Sequence, residues 1–314
     1  MKLEKAKVEI FEQKSLQDLF ADNDYVENLI RNGNMEMLEH VTIYLTVDRR
    51  KHKFDVERLG LYYRSENCRV EYSDAHGNCI TTNLKFLIEN NWTDDLQFQT
   101  EPKEDHHKRV TVEFICDQST SHEFAKNETF SFTEVLPELH TDELTFIIPK
   151  WMSLPEMTLN NNTSNFEVLM TANEANEGDK AWILSLLHSE KYYLQLIKYG
   201  WRALGVASTI LPNALKTQIM VSGFVDDWFG AVNVREKQVH DNGVNSWVTI
   251  ISEPWSKEKE HTMEVEHENN PRLILELSGF FPVKLKSENL QMRELATRLY
   301  EMFQEKNITQ RLDW

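Results

Sequence analysis

The clearest hydrophobic periodicity in the chain is RVTVEFICD, residues 109–117, where apolar and polar positions alternate and predict a strand. VTIYLTV at 41–47 alternates in the same way. ELTFIIPKW at 143–151 reads as another strand, ended by Pro149. Ahead of the second of these, YVENLIRNGNMEMLEH (25–40) spaces its apolar residues as a helix does. CITTNLKFLIENN (79–91) predicts a strand running into a helix, with its threonines available as caps.

The second half predicts three helices. AWILSLLHSEKYYLQLIKYG (181–200) ends on Gly200, a favourable C-terminal residue, and PNALKTQIMVSGF (212–224) starts with Pro212, suited to a first helical turn. SENLQMRELATRLYEMFQEK (287–306) has Ser287 or Asn289 as N-cap and Leu295, Leu299 and Met302 on one face. NNNTSN at 160–165 is a loop by composition. Between Arg235 and Ser287 the pattern changes. SWVTIIS, TMEVEHE and RLILELSGFFPVKL read as three strands separated by charged or Asn-rich turns, so residues 236–286 are expected to form an antiparallel β insertion. No internal repeat is visible. The pattern as a whole predicts one α+β domain over residues 1–314 that carries this insertion.

Charge narrows the partners. The net charge is −17, and the basic clusters DRRKHK (48–53) and DHHKR (105–109) are short and flanked by acids. A nucleic-acid backbone would repel such a chain, so no nucleic-acid partner is expected. No run of about 18 apolar residues occurs, so no membrane span is expected. The N-terminus lacks an apolar signal core, which points to the cytoplasm. Cys68, Cys79 and Cys116 show no C-x-x-C spacing and read as reduced thiols. His106 and His107 lie beside Glu104 and Asp105, but adjacent side chains diverge, so no metal is expected. A phosphate-cradling glycine-rich loop is also missing.

Six segments then carry a resemblance. MLEH (37–40), TTNLKFLIENNWTDDL (81–96), KRVTVEFICDQSTSHEFA (108–125), FIIPKW (146–151), LPNALKT (211–217) and GFVDDW (223–228), in this order, resemble the flavin-dependent thymidylate synthases. The resemblance runs over residues 8–235 and resumes at MRELA (292–296). It implies a central antiparallel or mixed sheet with helices, and a homotetramer whose active sites are shared between subunits. It also implies FAD, deoxyuridylate (dUMP) and methylene-tetrahydrofolate as ligands, with methyl transfer to the uracil ring by way of a flavin hydride. In the family's Arg-His-Arg signature, guanidinium groups fork onto phosphate oxygens while hydroxyl and carboxylate groups orient the pyrimidine.

Here the Arg-His-Arg positions hold Lys126, Asn127 and Glu128. Ser131 and Glu134 are kept, Thr133 stands where an amide is usual, and Leu136 and Glu138 replace a serine and an arginine. Three arginines and one glutamate have become one lysine and three glutamates, so the sign of the charge reverses. Ser208 stands nearest to a further expected arginine, Gln218 replaces a glutamate, and Asn289 replaces a histidine. His40 matches the family's flavin-contacting histidine and Arg235 its late substrate-binding arginine. The resemblance therefore nominates Ser131 and Glu134 for catalysis, His40, Lys126 and Asn127 for cofactor binding, and Arg235 for substrate binding.

Each nominee also has a structural reading. His40 suits a satisfied core histidine, SFTE (131–134) fits a capping box, and Arg235 and Lys126 suit solvated cations. Each lost charged hydrogen bond removes about 1.5–3 kcal/mol, so three lost guanidinium groups cost about 5 kcal/mol or more. Ordinary synthase activity is expected to be absent or very weak. The expectation is a catalytically degenerate homologue with a structural, regulatory or partner-binding role, as a homo-oligomer or paired with an intact synthase. The alternative is a nucleotide-metabolism enzyme that still binds FAD and dUMP.

Overall fold

The computed structural model describes residues 1–11, 35–48, 50, 54–124, 130–135, 143–152, 176–199, 207–230, 232–235, 274–277 and 279–309; at 135, 232–235 and 274–277 only the backbone is described. The strands are β1 (Lys2–Glu4), β2 (Lys7–Phe11), β3 (Thr42–Val47), β4 (Arg69–Ser73), β5 (Gly77–Asn83), β6 (Arg109–Asp117), β7 (Ser131–Val135), β8 (Thr145–Ile147), β9 (Lys216–Phe224), β10 (Val232–Arg235) and β11 (Ile274–Leu277). The α-helices are α1 (Val56–Arg64), α2 (Leu84–Glu89), α3 (Gln118–Phe124), α4 (Glu177–Lys198), α5 (Val225–Phe229), α6 (Phe280–Lys284) and α7 (Leu290–Glu305), and a 3-10 turn spans Met35–His40.

Two antiparallel sheets organise the chain. One has the strand order β2-β6-β9-β7 and the other β3-β5-β4; β1 and β8 form a short parallel pair. The described residues thus form a mixed α/β protein with antiparallel sheets, as the pattern of the chain predicts. No described helix is long and apolar enough to cross a membrane.

The two faces of the four-stranded sheet differ in chemistry. Val110, Val112, Phe114, Ile219 and Val221 lie on one face and pack against Trp228, Phe281, Leu295, Leu299 and Phe303 from α5, α6 and α7. Residues directly opposite each other in an antiparallel ladder share a face, so the other face takes Arg109, Thr111, Ser222, Ser131 and Thr133. That polar face meets the Met35–His40 turn. A separate core under α1 and α2 gathers Leu38, Ile43, Leu45, Ile80 and Leu87, while Leu3, Phe146, Ile183, Leu186 and Tyr193 join β1 and β8 to α4.

Several expectations from the chain pattern are corrected. PNALKTQIMVSGF is no helix: Lys216–Phe224 is β9, paired with β6 on one side and β7 on the other. A strand flanked on both sides and covered on both faces reads as a continuous apolar run, which periodicity alone does not separate from a helix. SFTE caps nothing, because Ser131–Val135 is β7. The cap of α2 is Asn83, whose Oδ1 accepts the Phe86 amide at 2.8 Å, while Thr81 and Thr82 stay within β5. At α7 it is Asn289 whose side chain accepts from Gln291 and Met292.

RLILELSGFFPVKL divides into a strand and a helix. Its first part is β11, antiparallel to β10, so the chain leaves and re-enters the fold on two paired strands. Its second part is α6, with Phe280, Phe281 and Pro282 buried in the main core. Gly279 makes the switch with φ +103°, and a Cβ there would lie 2.4 Å from the Gly230 Cα. Gly279→Ala is therefore expected to lower stability by at least about 1 kcal/mol in urea unfolding; an unchanged midpoint would sink this account. SWVTIIS, TMEVEHE, NNNTSN, Gly200 and the first part of YVENLIRNGNMEMLEH lie outside the described residues.

Candidate functional site

The polar face of the four-stranded sheet holds the residues that matter here. His40 ends the 3-10 turn and is fully buried. Its Nδ1 lies 2.7 Å from Ser222 Oγ and its Nε2 lies 2.8 Å from Thr133 Oγ1. Thr111 Oγ1 donates to the His40 carbonyl at 3.2 Å and lies 2.6 Å from Ser222 Oγ.

Counting protons assigns these bonds. Each hydroxyl has one proton and a neutral imidazole has one N–H. With the Thr111 proton on the His40 carbonyl, Ser222 must donate to Thr111. His40 Nδ1–H then donates to Ser222, and Thr133 donates to the bare Nε2. Every contact is satisfied by one neutral tautomer. Burial, followed by the charges of Arg109 and Lys85, holds the His40 pKa down at about 3.

Arg109 stands beside this network and is only 7% exposed. Its Nη1 donates to the Glu39 carbonyl at 2.7 Å and its Nη2 to Ser131 Oγ at 2.7 Å. Desolvation pushes its pKa down to about 10, where it still carries its charge. Glu39 itself is ion-paired with Lys85. Burial raises the pKa of Tyr44, which faces the Arg109 backbone.

His40 is thus brought beside Thr133, 93 residues further along the chain, with Ser131 on the same face of β7. Glu134 is not on that face. It follows Thr133 in an extended strand, so it points to the opposite face, where Ser121 Oγ lies 3.3 Å from its Oε1. Ser131 and Glu134 therefore cannot act on one small group from the same side of β7. Lys126 and Asn127 lie outside the described residues. Arg235 ends β10 opposite Ile274, with only its backbone described.

Arg109, Thr111 and Ser222 carry no signal in the sequence. Polar residues alternating along a strand read as a solvent face, and Ser222 falls in a segment with a helix-like pattern. His106, beside the acidic pair, is consumed structurally. Its Nδ1 accepts the Lys103 amide at 3.0 Å and its Nε2 donates to the Leu45 carbonyl at 2.9 Å. Among the described residues no group of three His, Cys, Asp or Glu side chains could hold a metal ion. The three cysteines are buried free thiols.

Chemically, the network is a clamp and not an acid–base pair. A general base works best with a pKa near the operating pH and with a free lone pair. His40 has neither. Arg109 is buried on this face of the sheet, and among the described residues it has no carboxylate partner.

The described residues define a mixed α/β protein whose antiparallel sheet has one polar, buried face. No protein-family model matches the chain, and no curated protein matches it. Among solved structures it is similar to a UMP/dUMP methylase, PolB from Streptomyces cacaoi bound with 5-Br UMP, at 11% identity and TM-score 0.28, covering 71% of this chain and 74% of that chain. The same protein bound with 5-Br dUMP gives 10% identity and TM-score 0.29, over 71% and 76%.

Proposed function

We propose that the chain is a catalytically degenerate relative of the flavin-dependent thymidylate synthases, keeping the scaffold for a structural or partner-binding role. One observation carries this reading. The histidine that the resemblance assigns to the flavin has both ring nitrogens occupied, by Ser222 and Thr133, and is sealed from solvent. To contact a cofactor it would have to give up a buried hydrogen bond, at about 1–3 kcal/mol for the group left unpaired. The described residues do not fit a flavin at this position. The reversed charge of the motif acts in the same direction, because it repels the phosphates of FAD and dUMP.

The direct test is optical. The purified protein is expected to carry no flavin absorbance and to show no spectral change on titration with FAD up to millimolar concentration. It is also expected not to rescue a thymidine auxotroph. Stoichiometric FAD binding at micromolar affinity, about −8 kcal/mol, would overturn the proposal. The partner role predicts co-elution with an intact flavin-dependent synthase, or a change in that enzyme's rate.

A further inference from the structure

We propose that Arg109, with the hydroxyls of Ser131 and Thr81, forms a binding site for one oxyanion, the carboxylate or phosphate of a small molecule. The site lies between the two antiparallel sheets, and the proposal stands on different residues from the flavin reading.

The first observation is an imbalance of charge. Arg69 and Arg109 both lie near the carboxylate of Asp227, and Arg109 lies near that of Glu39 as well. Arg69 takes the former, with Nη2 at 3.3 Å from Asp227 Oδ1, and stacks its guanidinium 4.4 Å above the Phe224 ring. The other nearby carboxylate, Glu39, is held by Lys85. Both acids act on Arg109 only at longer range. Among the described residues no carboxylate lies within ion-pairing distance of Arg109, whose direct partners are a carbonyl and a hydroxyl. A buried guanidinium without a counter-charge is costly, and its remaining N–H groups are suited to a forked acceptor.

The second observation is independent of the arginine. Thr81 Oγ1 is fully buried and has no hydrogen-bond partner. Arg69, Thr81 and Tyr44 stand directly opposite one another across β4, β5 and β3, so they share one face of that sheet. This face turns towards Arg109: Tyr44 faces the Arg109 backbone, and Arg69 reaches Phe224 and Asp227. An orphan donor and an orphan cation thus share one polar interior. A single oxyanion would satisfy both. Ser131 is half-buried on β7, which ends the strand order of its sheet, and gives the direction of approach.

Calorimetric titration and thermal unfolding with inorganic phosphate and with acetate, against sodium chloride at matched ionic strength, test the site. At least one of the two anions is expected to bind saturably and to raise the unfolding temperature above the chloride control. The anion that binds tells phosphate from carboxylate. Arg109→Lys should weaken binding about tenfold or more, because it loses the fork and one charged hydrogen bond. Ser131→Ala should weaken it several-fold and, because it removes one of the two direct partners of the buried Arg109, should also lower the anion-free unfolding temperature. Thr81→Val should also weaken binding, yet unfold at the same or a higher temperature without anion, since an unpaired hydroxyl is replaced by a methyl group. Wild-type protein that responds no more to either anion than to chloride overturns the site. So does undiminished affinity in Ser131→Ala, which decides the matter if Arg109→Lys fails to fold. Neither probe contains a flavin or a nucleoside, so the outcome is separate from that of the FAD titration.

Discussion

Between pH 7 and pH 5 the protein should lose unfolding free energy more steeply than a His40→Gln variant, by up to about 1.4 kcal/mol per pH unit. The sign follows from which state binds the proton. In the unfolded chain His40 takes a proton below its ordinary pKa of 6.5, whereas in the folded protein it stays neutral down to about 3. Between these values the unfolded state binds more protons, so falling pH favours unfolding. The stabilisation is fully present above pH 6.5 and is lost progressively towards pH 3. His40→Gln removes the titration but also strands hydroxyls of Ser222 or Thr133, so the variant should be about 1–3 kcal/mol less stable at pH 7. The two stability curves should therefore converge as the pH falls. Urea unfolding at pH 7, 6 and 5 measures both slopes, and the other histidines contribute equally to the two proteins. Parallel curves would mean that His40 is charged or solvated in the folded state.

Phe280→Ala should cost about 3–5 kcal/mol, in the range of a large aromatic removed from a packed core. Phe280 is 2% exposed and meets Trp228 at 5.0 Å, Phe124 at 5.6 Å and Phe114 at 6.0 Å between ring centroids. It ties the chain returning from β11 to the helices and strand of the main core. Val283, on the same short helix but 44% exposed, is the control: Val283→Ala should change stability by less than about 0.5 kcal/mol. Equal effects at the two positions would mean that α6 is not seated against β6 and α5. Chemical denaturation of both variants separates these outcomes.

Some of this was legible before any coordinates. Strand β6 follows from alternation along RVTVEFICD, because one face packs on Phe280 and Leu295 while the other carries polar side chains. Helix α7 follows from Leu295 and Leu299 one turn apart and from a choice of two N-caps, Ser287 or Asn289, of which Asn289 serves. What alternation could not say is where the polar face points. On an outer strand it would point to water. Here it is buried against the Met35–His40 turn, and Arg109, Thr111 and Ser222 become the interior of the candidate site.

Spacing and residue type alone were enough for the secondary-structure class and the apolar face of the last helix, and they narrowed its N-cap to Ser287 or Asn289. These are local properties, set by spacing, capping and residue type. Only the tertiary structure decided that PNALKTQIMVSGF supplies a central strand, since pairing on both sides and cover on both faces remove the alternation that marks a strand. It also decided the fate of His40. Whether a histidine is a ligand or a core residue depends on what its two nitrogens meet, and its partners stand 93 and 182 residues away in the chain. Hydrogen bonds of that sequence separation leave no periodic trace, because strand register alone brings their partners together.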